Sequence, residues 1–256
     1  MKHLSILLWV LIMTPLSGHA AATRPLPAHL TLRYAFAFDG WTIGRVTKTL
    51  TRGPHGLYRE TMVAHAVGLA RLLTHVVLAD KGTFRITSGA VQPLSYVATR
   101  RGDSRAYRRH AVFSWRGQHL IFGGGQQVPL PAGAQDEESV FYAFMLHPLA
   151  KGTRDVAVTN GATLTTYRFV YRGHERIRTP AGVFGTIKIL RLNPAELRAR
   201  DACLARPSPQ LSRCLRHVTR FTIWVAPRLH DLAVRLRKTS GDRTLTITLT
   251  RMIGQP

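Results

Sequence analysis

The chain has 256 residues, 45% of them hydrophobic, a formal net charge of +23 and two cysteines. This apolar fraction excludes a disordered or fibrous chain, and the length is enough to bury a core without covalent staples. The charge balance points towards polyanions as partners, and no segment beyond the first twenty residues is long and apolar enough to read as a transmembrane helix.

Residues 1–20 read as a signal peptide for export. Lys2 supplies the positive start, residues 4–16 the apolar stretch, and Gly18 and Ala20 the small residues at −3 and −1 for cleavage before Ala21, with Ala20-Ala21-Ala22 an equally good site. The apolar run is shorter than the ~20 residues of a bilayer span and Pro15 interrupts it, so the expectation is a periplasmic protein that does not span the membrane after cleavage. Export removes nucleic acid from the candidate partners. The remaining polyanions are anionic lipids and acidic envelope glycans, although arginines spread over many strands fit a merely solvated surface as well.

Strands begin at residue 30, where Leu30, Leu32, Tyr34, Phe36 and Phe38 alternate with smaller or polar residues. Asp39-Gly40 turns the chain into residues 41–52, and residues 53–56 turn it into 57–66. Residues 67–73 read as a short helical turn or a kinked continuation of the sheet. Residues 75–78 and 83–87 read as two strands reversed at Asp80-Lys81-Gly82. Further strands are expected at 97–101, 106–115 and 119–122. The rhythm stops at Gly123-Gly124-Gly125 and the Pro-rich residues 129–133. One helix follows, with Asp136 as a candidate cap, Glu137 and Glu138 near its positive end, and Val140, Phe141, Ala143, Phe144 and Met145 as its apolar side. The acidic trio also admits a metal or catalytic reading, which capping outweighs.

Strands resume at 155–158 and 163–171. Two similar units follow, residues 171–190 around Pro180 and Gly182, and residues 222–236 around Pro227, each a strand, a proline turn and a strand. Between them, residues 193–216 read as an insertion of two short helices. Cys203 and Cys214 fall inside it, and an even pair in an exported chain reads as a disulfide pinning the two helices. The last strands, 217–225, 232–238 and 244–252, alternate strictly.

The segments Ser88-Gly89-Ala90-Val91-Gln92-Pro93-Leu94-Ser95-Tyr96, Val112-Phe113-Ser114-Trp115, Thr179-Pro180-Ala181-Gly182-Val183-Phe184 and Trp224-Val225-Ala226-Pro227, with Tyr34, Gly40 and Gly44 and the helix around Ser139 and Tyr142, resemble the DUF3108 family of exported bacterial proteins of unknown function. The resemblance covers most of the chain after residue 20. It implies a single mainly β domain over residues 21–256 and carries no catalytic residues; the 193–216 insertion departs from the pattern. Eleven to thirteen strands are too many for a flat sheet, so the expected fold is a strongly curved antiparallel sheet or a partly open β-barrel with one mid-chain helix and a disulfide-pinned helical insertion.

Catalytic signatures are missing. There is no nucleophile elbow, zinc-protease pair, phosphate loop or dinucleotide fingerprint, and no histidines stand at metal-ligand spacing, so neither a metal nor another cofactor is expected. Glu175 and Asp231 flank the proline turns, with ion pairs to Arg178 or Arg235 expected. Two function classes remain. In one, the curved sheet holds an amphiphile such as a lipid or lipid-linked glycan, with Trp115, Tyr142 and Trp224 as walls and Arg235 near the head group. In the other, the protein is a non-enzymatic envelope module that binds a partner protein through its basic surface. A hydrolase comes third.

Overall fold

The computed structural model describes residues 25–205 and 219–256. The expected signal peptide (residues 1–20) and Cys214 lie outside the described residues. Period-two alternation sets the inward side of the first strands. Leu30, Leu32 and Tyr34 of β1 (His29–Phe38), Val46 and Leu50 of β2 (Trp41–Arg52) and Tyr58 of β3 (Leu57–Ala66) are buried, while Arg33, Arg45 and Arg59 between them are exposed. At the β1–β2 turn both Asp39 and Gly40 take positive φ, which matches the twist of a tight hairpin.

The meander continues through α1 (Ala70–Leu73), β4 (Val77–Thr87), β5 (Ala90–Arg101), β6 (Tyr107–Ser114), β7 (His119–Phe122) and β8 (Gln127–Pro129). A two-residue strand, β9 (Gln135–Asp136), leads into α2 (Ser139–Leu146). A second meander follows: β10 (Thr153–Thr159), β11 (Leu164–Thr179), β12 (Gly182–Leu192), β13 (Thr219–Ala226), β14 (Leu232–Ser240) and β15 (Arg243–Ile253), with α3 (Pro194–Leu204) between β12 and β13.

β15 returns to lie beside β1, with Tyr34 opposite Leu249, so both meanders join into one fifteen-stranded sheet. Its order is β8-β7-β6-β5-β4-β3-β2-β1-β15-β14-β13-β12-β11-β10-β9, antiparallel except at β9–β10. The sheet is not closed, because β8 and β9 end it on either side. It is nevertheless strongly curled. Gln135 of β9 donates from Nε2 to the Val91 carbonyl of β5 at 3.1 Å, across many intervening strands in the order.

Inside the curl lies α2. Tyr142, Met145 and Leu146 join the cluster built on β1–β4, while Val140 and Phe144 join a second cluster with Phe169, Ile187, Ile189 and Ile223. A helix apolar on both sides belongs in an interior, and each such side chain contributes about 1.5–3 kcal/mol on burial. A third cluster, around Tyr96, Phe113 and Leu120, fills the β5–β7 end.

Three expectations need correction. The turn at Asp80-Lys81-Gly82 does not exist, since β4 runs unbroken from Val77 to Thr87 and Gly82 serves packing there. Residues 164–179 form one long strand with an irregularity between Tyr171 and His174, where Gly173 takes φ 91°. Among the described residues the strands number fifteen, above the expected eleven to thirteen, because β8 and β9 are too short to show alternation. In the insertion, the described residues hold one helix, α3. Pro194 starts it, and Asn193 Oδ1 accepts from the Ala195 N–H at 3.0 Å. Cys203 stands near its end; the bridge to Cys214 stays an expectation because Cys214 is not among the described residues.

Candidate functional site

Four polar side chains interrupt the apolar inward rows of β2–β5: Lys48, Glu60, Asp80 and Tyr96. The register offsets them diagonally. Leu50 pairs with Glu60, Lys48 with Met62, Met62 with Asp80, and Glu60 and Tyr96 lie on either side of Gly82. Tyr96 donates its hydroxyl to Asp80 Oδ2 at 3.0 Å. Glu60 is only 2% exposed.

The β9–α2 corner descends onto this row. Asp136, 1% exposed, accepts from the Glu138 and Ser139 N–H groups at 2.9 and 2.8 Å, and the Asp136 N–H donates to Ser139 Oγ at 2.9 Å. This reciprocal cap has the form expected of a helix start, although α2 itself begins only at Ser139. The other two acids of the trio have separate ion pairs. Glu138 meets Lys48 at 2.5 Å, and Glu137 accepts from Arg191 at 2.7 Å. Lys48 Nζ also lies 4.5 Å from the centre of the Phe141 ring.

Glu60, Asp80 and Glu138 thus lie near one ammonium group, with Asp136 beside Glu60. Burial pushes the Asp80 carboxyl up to about 7 and that of Asp136 up to about 6, the latter against the N–H groups that favour its charged form. Burial, then the neighbouring carboxylates Asp136 and Glu138, pushes Glu60 well above the usual range. Burial raises Glu138 as well, although Lys48 opposes it. Burial opposes the charge on Lys48, but Glu138 and its other neighbours outweigh that and hold its pKa above the ordinary lysine value. Tyr34, buried beside them, rises to about 12, mainly through desolvation.

Both oxygens of Glu60 and Oδ2 of Asp136 lack a hydrogen-bond partner. Asp136 and Glu138 are among the neighbours that raise Glu60, and carboxyl groups so close together in a dry place favour keeping a proton. The cluster is therefore a proton-holding polar layer within the core. Among the described residues no group of three or more His, Cys, Asp or Glu is arranged to hold a metal ion.

Beside this layer runs an apolar pocket of about 440 Å³. Lys48, Glu137, Glu138 and Phe141 bound its inner end. Its walls include Val46, Met62, Ala64, Leu236 and Ile247, and Ile43, Ala70, Thr74 and Arg100 stand at the outer end. Among its lining residues Tyr34, Val46 and Glu138 are buried, Lys48, Phe141, Phe36 and Ile43 half-buried, and Thr74 exposed.

The aromatic residues expected to form walls stand elsewhere. Trp115 donates to the Pro93 carbonyl at 2.6 Å and stacks on Phe113. Tyr142 stacks on Phe84 in the core. Trp224 donates to Glu175 Oε2 at 2.9 Å, and Arg235, opposite it in register, donates to the Arg178 carbonyl at 2.7 Å. Trp224 and Arg235 are brought together; none of the four lines the pocket. Glu175 takes Lys188 as its ion-pair partner, at 3.1 Å. Lys48 and Glu60 were not singled out from the sequence and Asp80 was read as a turn residue, yet each is a lone charge on the inward phase of an alternating strand, a readable signal.

Residues 31–250 match the family described as a protein of unknown function, DUF3108. No curated protein matches the chain. Among solved structures, the chain is similar to a β-barrel-like protein of the domain of unknown function DUF1849 from Brucella abortus, with 9% identity, a TM-score of 0.53, and coverage of 88% of this chain and 97% of that one. A protein with a YmcC-like fold from Bacteroides fragilis matches at 11% identity, with coverage of 89% and 96% and a TM-score of 0.32. Of these two, the Brucella protein shares the barrel-like fold.

Proposed function

Because the chain belongs to the DUF3108 family, which has no assigned activity, we propose from its own geometry that it is a non-enzymatic binding protein of the periplasm that holds an anionic amphiphile in the pocket beside β2–β4. The single observation behind this reading is a pocket lined mainly by apolar side chains, with the Lys48–Glu138 pair and the guanidinium groups of Arg45 and Arg100 among its lining. Its volume, about 440 Å³, lies in the range of small-molecule sites. The hydrocarbon part of the ligand lies against Val46, Met62, Ala64 and Ile247, where each buried methylene contributes about 0.8 kcal/mol. The Lys48–Glu138 pair in the lining is already satisfied by its own ion pair, so it is not the partner of the head group. The anionic head stays at the outer end, near Arg45 and Arg100.

Residues 1–20 act as the export signal in this reading, and Cys203 pairs with Cys214. Among the described residues no helix is long and apolar enough to cross a membrane.

Native mass spectrometry of the protein purified from a bacterial periplasm, with its organic extract analysed alongside, tests the reading. The expected result is an added mass that dissociates as an anionic lipid and is lost in Ala64→Trp, whose indole fills the pocket. An apo mass that persists after incubation with anionic lipid, or an adduct unchanged in Ala64→Trp, would overturn it.

A further inference from the structure

The three most exposed large apolar side chains among the described residues gather at one end of the sheet: Trp41 (79% exposed), Leu69 (81%) and Leu72 (79%). Trp41 opens β2. Leu69 and Leu72 belong to the segment after β3, which the Val67 N–H ties to the start of β2 by donating to the Ile43 carbonyl at 3.0 Å. Ile43 and Ala70, neighbours of these residues in the chain, line the outer end of the pocket. The β5–β6 turn completes the rim. It approaches so closely that a Cβ on Gly102 would stand 2.3 Å from the His75 carbonyl oxygen.

The charge on this rim is positive. Arg71 is exposed on α1, and Arg101 and Arg105 are exposed on the β5–β6 turn. Of the carboxylates at this end, Asp39 accepts from the Thr244 N–H, Asp103 is paired with Arg100, and Asp242 is exposed beside Arg243 on the β14–β15 turn. Protruding Trp and Leu side chains surrounded by arginines suit the boundary between lipid head groups and acyl chains. The apolar groups leave water there, and the guanidinium groups meet phosphates.

We propose that this rim docks on a bilayer surface containing anionic lipid, with Trp41, Leu69 and Leu72 inserted at head-group depth. This rests on the binding reading only in that the pocket opens onto the docked surface; docking itself does not need the pocket to be filled. The occupant is a membrane because the apolar groups stand just after the β1–β2 turn and on the short α1 segment, beside basic residues in a chain of net charge +23.

Flotation with vesicles of phosphatidylcholine, alone or mixed with phosphatidylglycerol, tests the proposal. Wild-type protein is expected to float with the mixed vesicles and far less with phosphatidylcholine alone, and high salt should weaken the association. The triple variant Trp41→Ser, Leu69→Ser, Leu72→Ser, checked for an unchanged melting temperature, should lose roughly tenfold or more of the binding. Ala64→Trp should float like wild type while carrying no amphiphile, which separates failure of docking from failure of the pocket. Unchanged flotation of the triple variant, equal flotation with both vesicle types, or no flotation of wild type would overturn the proposal.

Discussion

The Glu60 carboxyl fills the space that a side chain at residue 82 would need, since a Cβ built on Gly82 falls 2.4 Å from Glu60 Oε1. Gly82 is in extended backbone, so the requirement is room and not φ. Gly82→Ala should cost about 1–3 kcal/mol by overpacking. In a Glu60→Ala background the same change should cost little, because the opposing carboxyl is gone. Urea denaturation of the four proteins in this cycle checks the coupling; purely additive costs would count against it.

The carboxyl layer gives stability a definite dependence on pH. Asp80 and Asp136 hold protons more tightly folded than unfolded, with folded values of about 7 and about 6. Between the ordinary aspartate value and those values the folded state keeps protons that the unfolded state has released, so stability is greatest at the acid side of this window and falls as pH rises through it. A loss of about 2 kcal/mol from pH 5 to pH 8 would lower the melting temperature by roughly 4–8 °C. Glu60→Gln, neutral at every pH, should flatten that slope, which calorimetry across the window would measure.

Lys48 is the single ammonium beside the buried carboxyls of Glu60 and Glu138 and the half-buried one of Asp80, so Lys48→Met should be far more damaging than its shape suggests. We expect a cost of about 3–5 kcal/mol at neutral pH, because Glu138 is left buried without a partner. Part of that loss should return at pH 5, where the carboxyl can take a proton. Adding Glu138→Leu should recover more. A Lys48→Met protein as stable as wild type at pH 8 would contradict the arrangement.

The Trp224 indole lowers the pKa of Glu175 through its N–H, against a smaller effect of desolvation and with help from Lys188. Trp224→Phe should raise the Glu175 pKa towards the ordinary glutamate value, as followed by carboxyl-selective NMR. Loss of the hydrogen bond should cost about 1 kcal/mol, since the carboxylate is well hydrated.

Much of this architecture was legible from alternation alone. β2 and β3 begin and end where the period-two pattern does, and the Thr179–Gly182 turn forms between β11 and β12, with the Ala181 N–H donating to Thr179 Oγ1 at 3.1 Å. The site was much less legible. Asp80-Lys81-Gly82 has turn composition, but its pattern cannot show that Glu60, twenty-two residues earlier, needs the glycine. Aromatic residues drew attention as pocket walls because large rings suit ligands, yet Tyr142 and Trp224 serve the core. The pocket walls are modest residues such as Ala64, Met62 and Ile247, which acquire meaning only when β14 and β15 close beside β1 and β2.

That closure also sets the order in which the chain can become itself. β1 and β15 pair at the middle of the sheet, and the Thr250 hydroxyl reaches the Arg33 carbonyl across more than two hundred residues. Each meander can assemble from local hairpins, but the seam between them waits for the final strand. Such a topology folds slowly, on the scale of milliseconds to seconds. Until its last strand arrives, the chain is two unmatched half-sheets with bare edges, a form that can still be threaded or captured and one that would benefit from a chaperone.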